Sequence, residues 1–235
     1  MQLDPNFRLF LTMENNPKVP ATLIRASHVM IFEPPSGIKA ALMRSYNQTI
    51  TQPRTDKEPI ERKRLHFIVS WFNAVVQERL RYTPIGWSKV YEFNESDQRC
   101  TLDCIDEWID SMGTGRTNID PEKIPWDAIK TLISQSVFGG KIDNEFDQKI
   151  LLSLVDKFFN PRVYEESFKL FDPPVGTEEE SLVVPDNAKG HKDYVSFIKN
   201  IHLTETPAWS GLPNNVEKIV RERAANSLVA NIKLI

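Results

Sequence analysis

Two cysteines in 235 residues, Cys100 and Cys104, cannot build a disulfide framework. The opening MQLDPNFRLF lacks both a basic and an apolar leader region, so the compartment expected is the cytosol. Basic residues are not in excess either. With 29 Lys and Arg against 32 Asp and Glu, the formal charge is -3, which argues against a surface that tracks nucleic-acid phosphates. No apolar run approaches the roughly 20 residues of a membrane span. The longest, Leu65 to Val76, is interrupted by His66, Ser70 and Asn73. There is no G-x-x-x-x-G-K-[ST] phosphate loop and no apolar strand ending in an acidic pair to hold magnesium. Nucleotide hydrolysis therefore lacks its two main parts. What is present, 40% hydrophobic and 26% charged residues, suffices for one good core or two small ones.

Phe7 to Met13 (FRLFLTM) and Val29 to Phe32 (VMIF) read as strands joined by a helical turn around Ala21 to Ala26. Their separation suits the crossover between parallel strands, which needs a dozen or more residues. A parallel sheet needs more neighbours than these two, and no further strand is seen downstream. The expectation is the tail of an α/β domain whose earlier strands lie upstream.

Downstream the pattern is helical. Helices are predicted over Gly37 to Gln48 and from about Glu58 to Tyr82. In the second, His66, Ser70, Asn73, Gln77 and Arg81 share one stripe, and Leu65, Ile68, Val69, Phe72, Val75 and Val76 form a wide apolar face. That helix should sit centrally in a bundle. Another starts near Asn94 or Ser96, burying Leu102, Ile105, Trp108 and Ile109, and ends at Met112 to Gly115. Pro125 opens a helix to Phe138, with Gly139 placed to end it in the left-handed conformation. Asp143 or Asn144 opens the next, which carries Phe146, Ile150, Leu151, Leu154, Val155 and Phe158 until Asn160 and Pro161 stop it. Glu165 to Lys189, with Pro173, Pro174 and the acidic GTEEES, reads as an exposed, mobile insertion. A short helix is expected near Asp193 to Asn200 and a final one from about Asn215 to Ile235. An apolar stripe of Val216, Ile219, Val220, Leu228, Val229 and Ile232 runs along the last, as if a partner segment lay beyond it.

Few residues suggest chemistry. Met112-Gly113-Thr114-Gly115 is half a glycine loop, but it comes after a helix and has no lysine. Cys100 and Cys104 lie on one helical face without a second ligand pair, so helix packing is the better reading and no metal is expected. His66 belongs to the polar stripe, and His28, His191 and His202 are far apart in sequence. Arg62, Lys63, Arg64, Arg79 and Arg81 bracket the long helix as solvated or salt-bridged ends.

Several separated segments resemble one family. The opening FRLFLTMENNPKVPATLIRASHVMIFEPPSGIKAALMRSY is similar to the strand, turn and strand of the last AAA+ module of dynein heavy chains. Trp71 to Asp97 (WFNAVVQERLRYTPIGWSKVYEFNESD) and Val137 to Leu151 (VFGGKIDNEFDQKIL) resemble its lid, and Pro207 to Lys218 (PAWSGLPNNVEK) is similar to a third segment of the same family. LFLTME and FEPPSGIK look more like the cytoplasmic than the ciliary class.

The resemblance implies a mostly α fold: a helical AAA+ lid bundle preceded by the last strand-helix-strand portion of an incomplete α/β large domain. The implied division is 1–55 for the end of the large domain, 56–165 for the lid, 166–206 for an irregular acidic insertion with a short helix, and 207–235 for the start of the C-terminal region. Thr12, Glu14 and Asn15 stand near a degenerate sensor-1 position, and Gly139, Gly140 and Lys141 form a sensor-2-like turn. Trp71, Phe72, Glu78, Arg79, Trp87, Trp108 and Phe146 would carry lid packing. No cofactor is implied here; ATP and Mg would bind other modules of the parent chain. Implied partners are the neighbouring AAA+ modules and the C-terminal domain, the intermediate, light intermediate and light chains of the parent complex, and microtubules through its stalk, with no nucleic acid and no membrane. The expected place is the cytoplasm and cytoskeleton, and the expected role is non-catalytic support of ATP-driven, minus-end-directed movement. Two other readings remain open: a free-standing nucleotide-binding AAA+ protein with a divergent phosphate site, and a helical protein-interaction module.

Overall fold

The computed structural model describes every residue except 1–3, 5, 14, 15, 17, 32, 34, 114–116, 172, 174–180, 186–189, 234 and 235, and the side chain of residue 233. The chain divides into two compact units, Met1–Glu33 and Pro34–Ile235.

The first unit holds one short helix, α1 (Ala21–Ala26), where sequence placed a helical turn. Neither expected strand forms. Among the described residues, 8–13 and 28–31 make no backbone ladder, and Leu9, Phe10, Met30 and Ile31 are exposed. An extended segment becomes a strand only when a neighbour takes up its N–H and C=O groups, and these two do not pair with each other.

The second unit is a helical bundle. Its helices are α2 (Ile38–Gln48), α3 (Gln52–Thr55), α4 (Glu61–Arg81), α5 (Glu95–Gly113), α6 (Trp126–Thr131), α7 (Glu145–Phe158), α8 (His191–Lys199) and α9 (Val216–Lys233). The predicted bundle and the centrality of the long helix are both observed. Every residue of α4 from Arg64 to Val76 is buried, with α2, α5 and α7 packed around it. Of its polar stripe, His66, Ser70 and Asn73 are buried as well, facing α2 and α5, while Gln77 is half-buried and Arg81 exposed. Gln98 ties that layer together, donating to Ser70 Oγ at 3.0 Å and accepting from Ser45 Oγ at 3.0 Å. Buried polar groups persist when they find such partners.

Local signals set most helix ends. Asn144 caps α7, its side chain accepting from Phe146 N–H and Asp147 N–H at 2.9 and 3.3 Å. Asn94 opens α5, accepting from Ser96 N–H at 3.0 Å, while Asp97 returns to Asn94 N–H at 2.9 Å. The start of α2 is capped from a distance. Gly37 has φ 96°, and Glu205 accepts from Ile38 N–H at 2.7 Å and Lys39 N–H at 2.9 Å. Glu78 takes the Gly37 N–H at 3.1 Å.

Three other expectations change. Gly139 does not end the α6 segment in the left-handed conformation; it sits in a 3-10 turn, Gly139–Lys141, after a wide π turn, Leu132–Val137. The wide turn brings Ser134 O so close that a Cβ on Gly139 would lie 1.6 Å from it, and this approach is what excludes a side chain there. The region read as an exposed insertion contributes to the core. Leu170, Phe171 and Val184 are buried, and Leu170 N–H donates to Leu182 O at 2.9 Å beside an antiparallel bridge between Lys169 and Val183. Apolar pairs on either side of the acidic run override its composition; residues 176–180 of that run lie outside the described residues. On α9 the expected apolar stripe divides, with Val216 buried and Leu228, Val229 and Ile232 exposed.

Candidate functional site

Four of the residues expected to carry packing, Trp71, Phe72, Arg79 and Trp87, converge at the C-terminal half of α4. Trp71 and Phe72 are completely buried. Trp71 stacks on Trp209 at 5.8 Å, and Phe171 stacks on the same indole at 5.2 Å. Phe72 meets the edges of Phe138 and Phe159 at 5.2 and 5.3 Å. Each fully buried aromatic contributes roughly 1.5–3 kcal/mol, with more from these ring geometries.

Arg79 and Trp87 lock the turn at the end of α4. Trp87 Nε1 donates to Val76 O at 2.9 Å, and the Arg79 guanidinium lies 5.4 Å from the Trp87 ring centroid. Arg79 Nε donates to Gly86 O at 3.1 Å and Nη1 to Ser210 O at 2.7 Å. This one side chain therefore joins α4 to two loops. Burial pulls its pKa down to about 10, against the opposing influence of the Asp147 charge. Asp147 itself is buried and accepts from Ser88 Oγ at 2.5 Å and Tyr91 Oη at 2.6 Å. Burial and that hydrogen bond push the Tyr91 phenol up to about 12.

Glu78 is half-buried on the α2 cap, and Trp108 is half-buried against the core. Phe146 departs from its expected packing role, being 74% exposed. Because α7 turns Asp147, Leu151, Val155 and Phe158 inward, Phe146 falls on an outer stripe.

At the sensor-2-like turn, Lys141 is engaged inside the bundle. Its Nζ donates to Glu92 O at 2.8 Å and to the buried Asp97 at 2.7 Å. Gly140 is exposed beside it. Of the sensor-1-like residues, Thr12 is exposed in the first unit, and Glu14 and Asn15 lie outside the described residues, as do Thr114 and Gly115 of the half glycine loop. Cys100 is exposed and Cys104 half-buried, so the expected helix-packing role fails for Cys100. Among the described residues no group of three or more His, Cys, Asp or Glu could hold a metal.

An ion cluster that sequence reasoning missed joins α3, α4 and α5. Asp106 accepts from Arg54 Nε at 2.7 Å, Arg62 Nη1 at 2.5 Å and His66 Nε2 at 2.8 Å. Asp110 binds Arg62 and Lys57. Burial pushes the Asp106 carboxyl up, but its hydrogen bond to His66 and the charges of Arg54 and Arg62 outweigh that and hold it at about 2. Burial likewise pulls the His66 pKa below its usual value. Because a carboxylate can only accept, His66 Nε2 carries a proton in this contact. The arginines at this helix end were expected to be solvated or paired. Arg62 is paired and almost wholly enclosed.

A helical bundle around one buried helix, with the Gly139–Lys141 turn tied internally, matches the lid bundle expected from the sequence. Residues 62–216 match the family model described as the dynein heavy chain AAA lid domain. The chain is 51% identical over 228 residues to "Dynein heavy chain, cytoplasmic" of Paramecium tetraurelia, covering 97% of this chain and 5% of that protein. It is 48% identical over 234 residues to the protein of that name in Drosophila melanogaster (99% and 5%) and 42% identical over 233 residues to that of Caenorhabditis elegans (99% and 5%). The chain belongs to the dynein heavy chain family, and it spans about 5% of the length of these relatives.

Proposed function

We propose that this chain is a non-catalytic mechanical segment of a dynein motor ring. It passes rigid-body movement between neighbouring AAA+ modules and the C-terminal domain of a parent heavy chain. The parent supplies ATP hydrolysis, minus-end-directed movement on microtubules through its stalk, and contacts with the intermediate, light intermediate and light chains in the cytoplasm. Among the described residues no helix is long and apolar enough to cross a membrane.

The observation that carries this reading is the engagement of Lys141 with Asp97 and Glu92, which leaves the sensor-2-like turn serving the bundle's own packing. A block stiffened by buried aromatics and ion pairs transmits displacement well, because close-packed interiors resist compression. Replacing Trp71 with Ala in the full motor should leave basal ATPase activity present and reduce its stimulation by microtubules. Unchanged stimulation in a variant whose lid is folded, shown by circular dichroism, would reject the proposal. Saturable ATP binding to the isolated chain at micromolar levels would instead favour a nucleotide-binding role.

A further inference from the structure

One concave feature of the second unit has no part in that role. Between α4, α7, the Leu170 segment and the Pro207–Ser210 turn lies a cavity of about 310 Å³. Leu154, Phe158, Phe171 and Trp209 give it an apolar floor, Arg79 and Lys157 line its wall, and no acidic side chain is among the described residues that line it.

Arg79 is only 5% exposed. Gly86 and Ser210 carbonyls occupy Nε and Nη1, while among the described residues Nη2 has no acceptor and the guanidinium forms no ion pair. The Asp147 carboxylate is committed to Ser88 and Tyr91. Asp147 offsets part of the cost of burying this guanidinium through its charge alone, and an arriving carboxylate would add a direct charge-assisted hydrogen bond.

The apolar surface does not stop at the cavity. Ile150 and the exposed Phe146 continue the Leu154 stripe along α7 at four-residue steps, with Lys149 Nζ 5.7 Å from the Phe146 ring. From Leu154 to Phe146 the helix advances about 12 Å, the length of about four residues of extended peptide. That reach exceeds a small organic acid.

We propose that this groove docks an acidic, apolar segment of a partner protein, with an aliphatic or aromatic side chain in the cavity and an adjacent carboxylate on Arg79. The proposal does not rest on the motor reading, and its failure would leave that reading intact.

Isothermal titration of the 235-residue chain with the capped peptide Asp-Leu-Phe-Leu-Glu, and with its Asn and Gln counterpart, tests it. The acidic peptide should bind at least about tenfold more tightly than the amide peptide. Ser153, exposed at the cavity lip, can be replaced by Trp without touching the core, and Ser153→Trp should abolish binding. Arg79→Lys should shrink the acid-to-amide ratio; if that variant does not fold, Ser153→Trp still decides. Equal affinity for the two peptides, no binding at millimolar concentration, or binding that survives Ser153→Trp would overturn the proposal. So would free 4-phenylbutyrate binding as tightly as the peptide, which would assign the cavity to a small organic acid.

Discussion

Arg62, a cation near the start of α4, is 1% exposed, whereas Leu228, an aliphatic residue near the end of α9, is 63% exposed. Hydropathy alone would reverse the two. Arg62 goes inside because Asp106 and Asp110 on α5 meet its guanidinium, and α5 is held there by its own apolar face of Leu102, Ile105 and Ile109. Leu228 stays outside because α9 leaves the bundle after Val220, and no described element packs against its outer turns. Burial depends on the partners a side chain can reach, and the hydrophobic effect acts only where a surface is available to receive it.

The sharpest way to break the contrast is to remove the partner from the buried cation. Asp106→Ala should lower unfolding free energy by about 3–5 kcal/mol, since Arg62 and His66 are then left enclosed with their main acceptor gone. Urea melts measure this, and a loss under about 1 kcal/mol would mean that the cluster is hydrated rather than dry.

Acid should weaken the same region in two stages. An unfolded His66 takes up its proton near 6.5, while the folded ring, pulled down by burial, binds it only at lower pH. Between those limits the unfolded state holds more protons, so stability falls as pH drops below 6.5. Asp106 repeats the pattern lower down, its unfolded value being 3.8 and its folded value about 2, so its contribution is lost as pH falls through that interval. In thermal melts against pH, His66→Gln should flatten the upper limb and reduce the lower one, which persists through Arg54 and Arg62.

The smallest effect belongs to the exposed helix. Leu228→Ser should shift stability by no more than about 0.5 kcal/mol, the usual range for surface substitutions. A loss above about 1 kcal/mol in the same urea melts would mean that the outer half of α9 packs in solution.

Features that depend on near neighbours were legible in the sequence. The spacing in α7, its Asn144 cap and the stop at Asn160 and Pro161 are all set within a few residues, and the helix runs where they place it. The buried length of α4 was only half legible. Periodicity identified its apolar face, but nothing local said that Gln98 and Asp106 would arrive on the other side and draw the polar stripe inward. The two segments read as strands failed for the same cause, since a strand is defined by a neighbour and the residues alone supply only a preference. Around the candidate site, Trp71, Phe72 and Trp87 could be named from their segment. Of their counterparts, Phe171 lies in the stretch read as an exposed insertion, Trp209 stood only within a family-like segment, and Asp147 is a polar residue among the apolar positions of α7. Phe146 shows the opposite error, an apolar residue at helical spacing that lies one stripe away from the core.

The cap on α2 also dates the completion of the fold. Glu205 lies 167 residues beyond Ile38, whose N–H it accepts. At the roughly 5–20 residues per second of ribosomal synthesis, α2 exists for about 10–30 s before that carboxylate is made. During that interval the leading turn of α2 is open to water, to a chaperone or to another nascent chain. The bundle closes late, and residue 205 is the clasp.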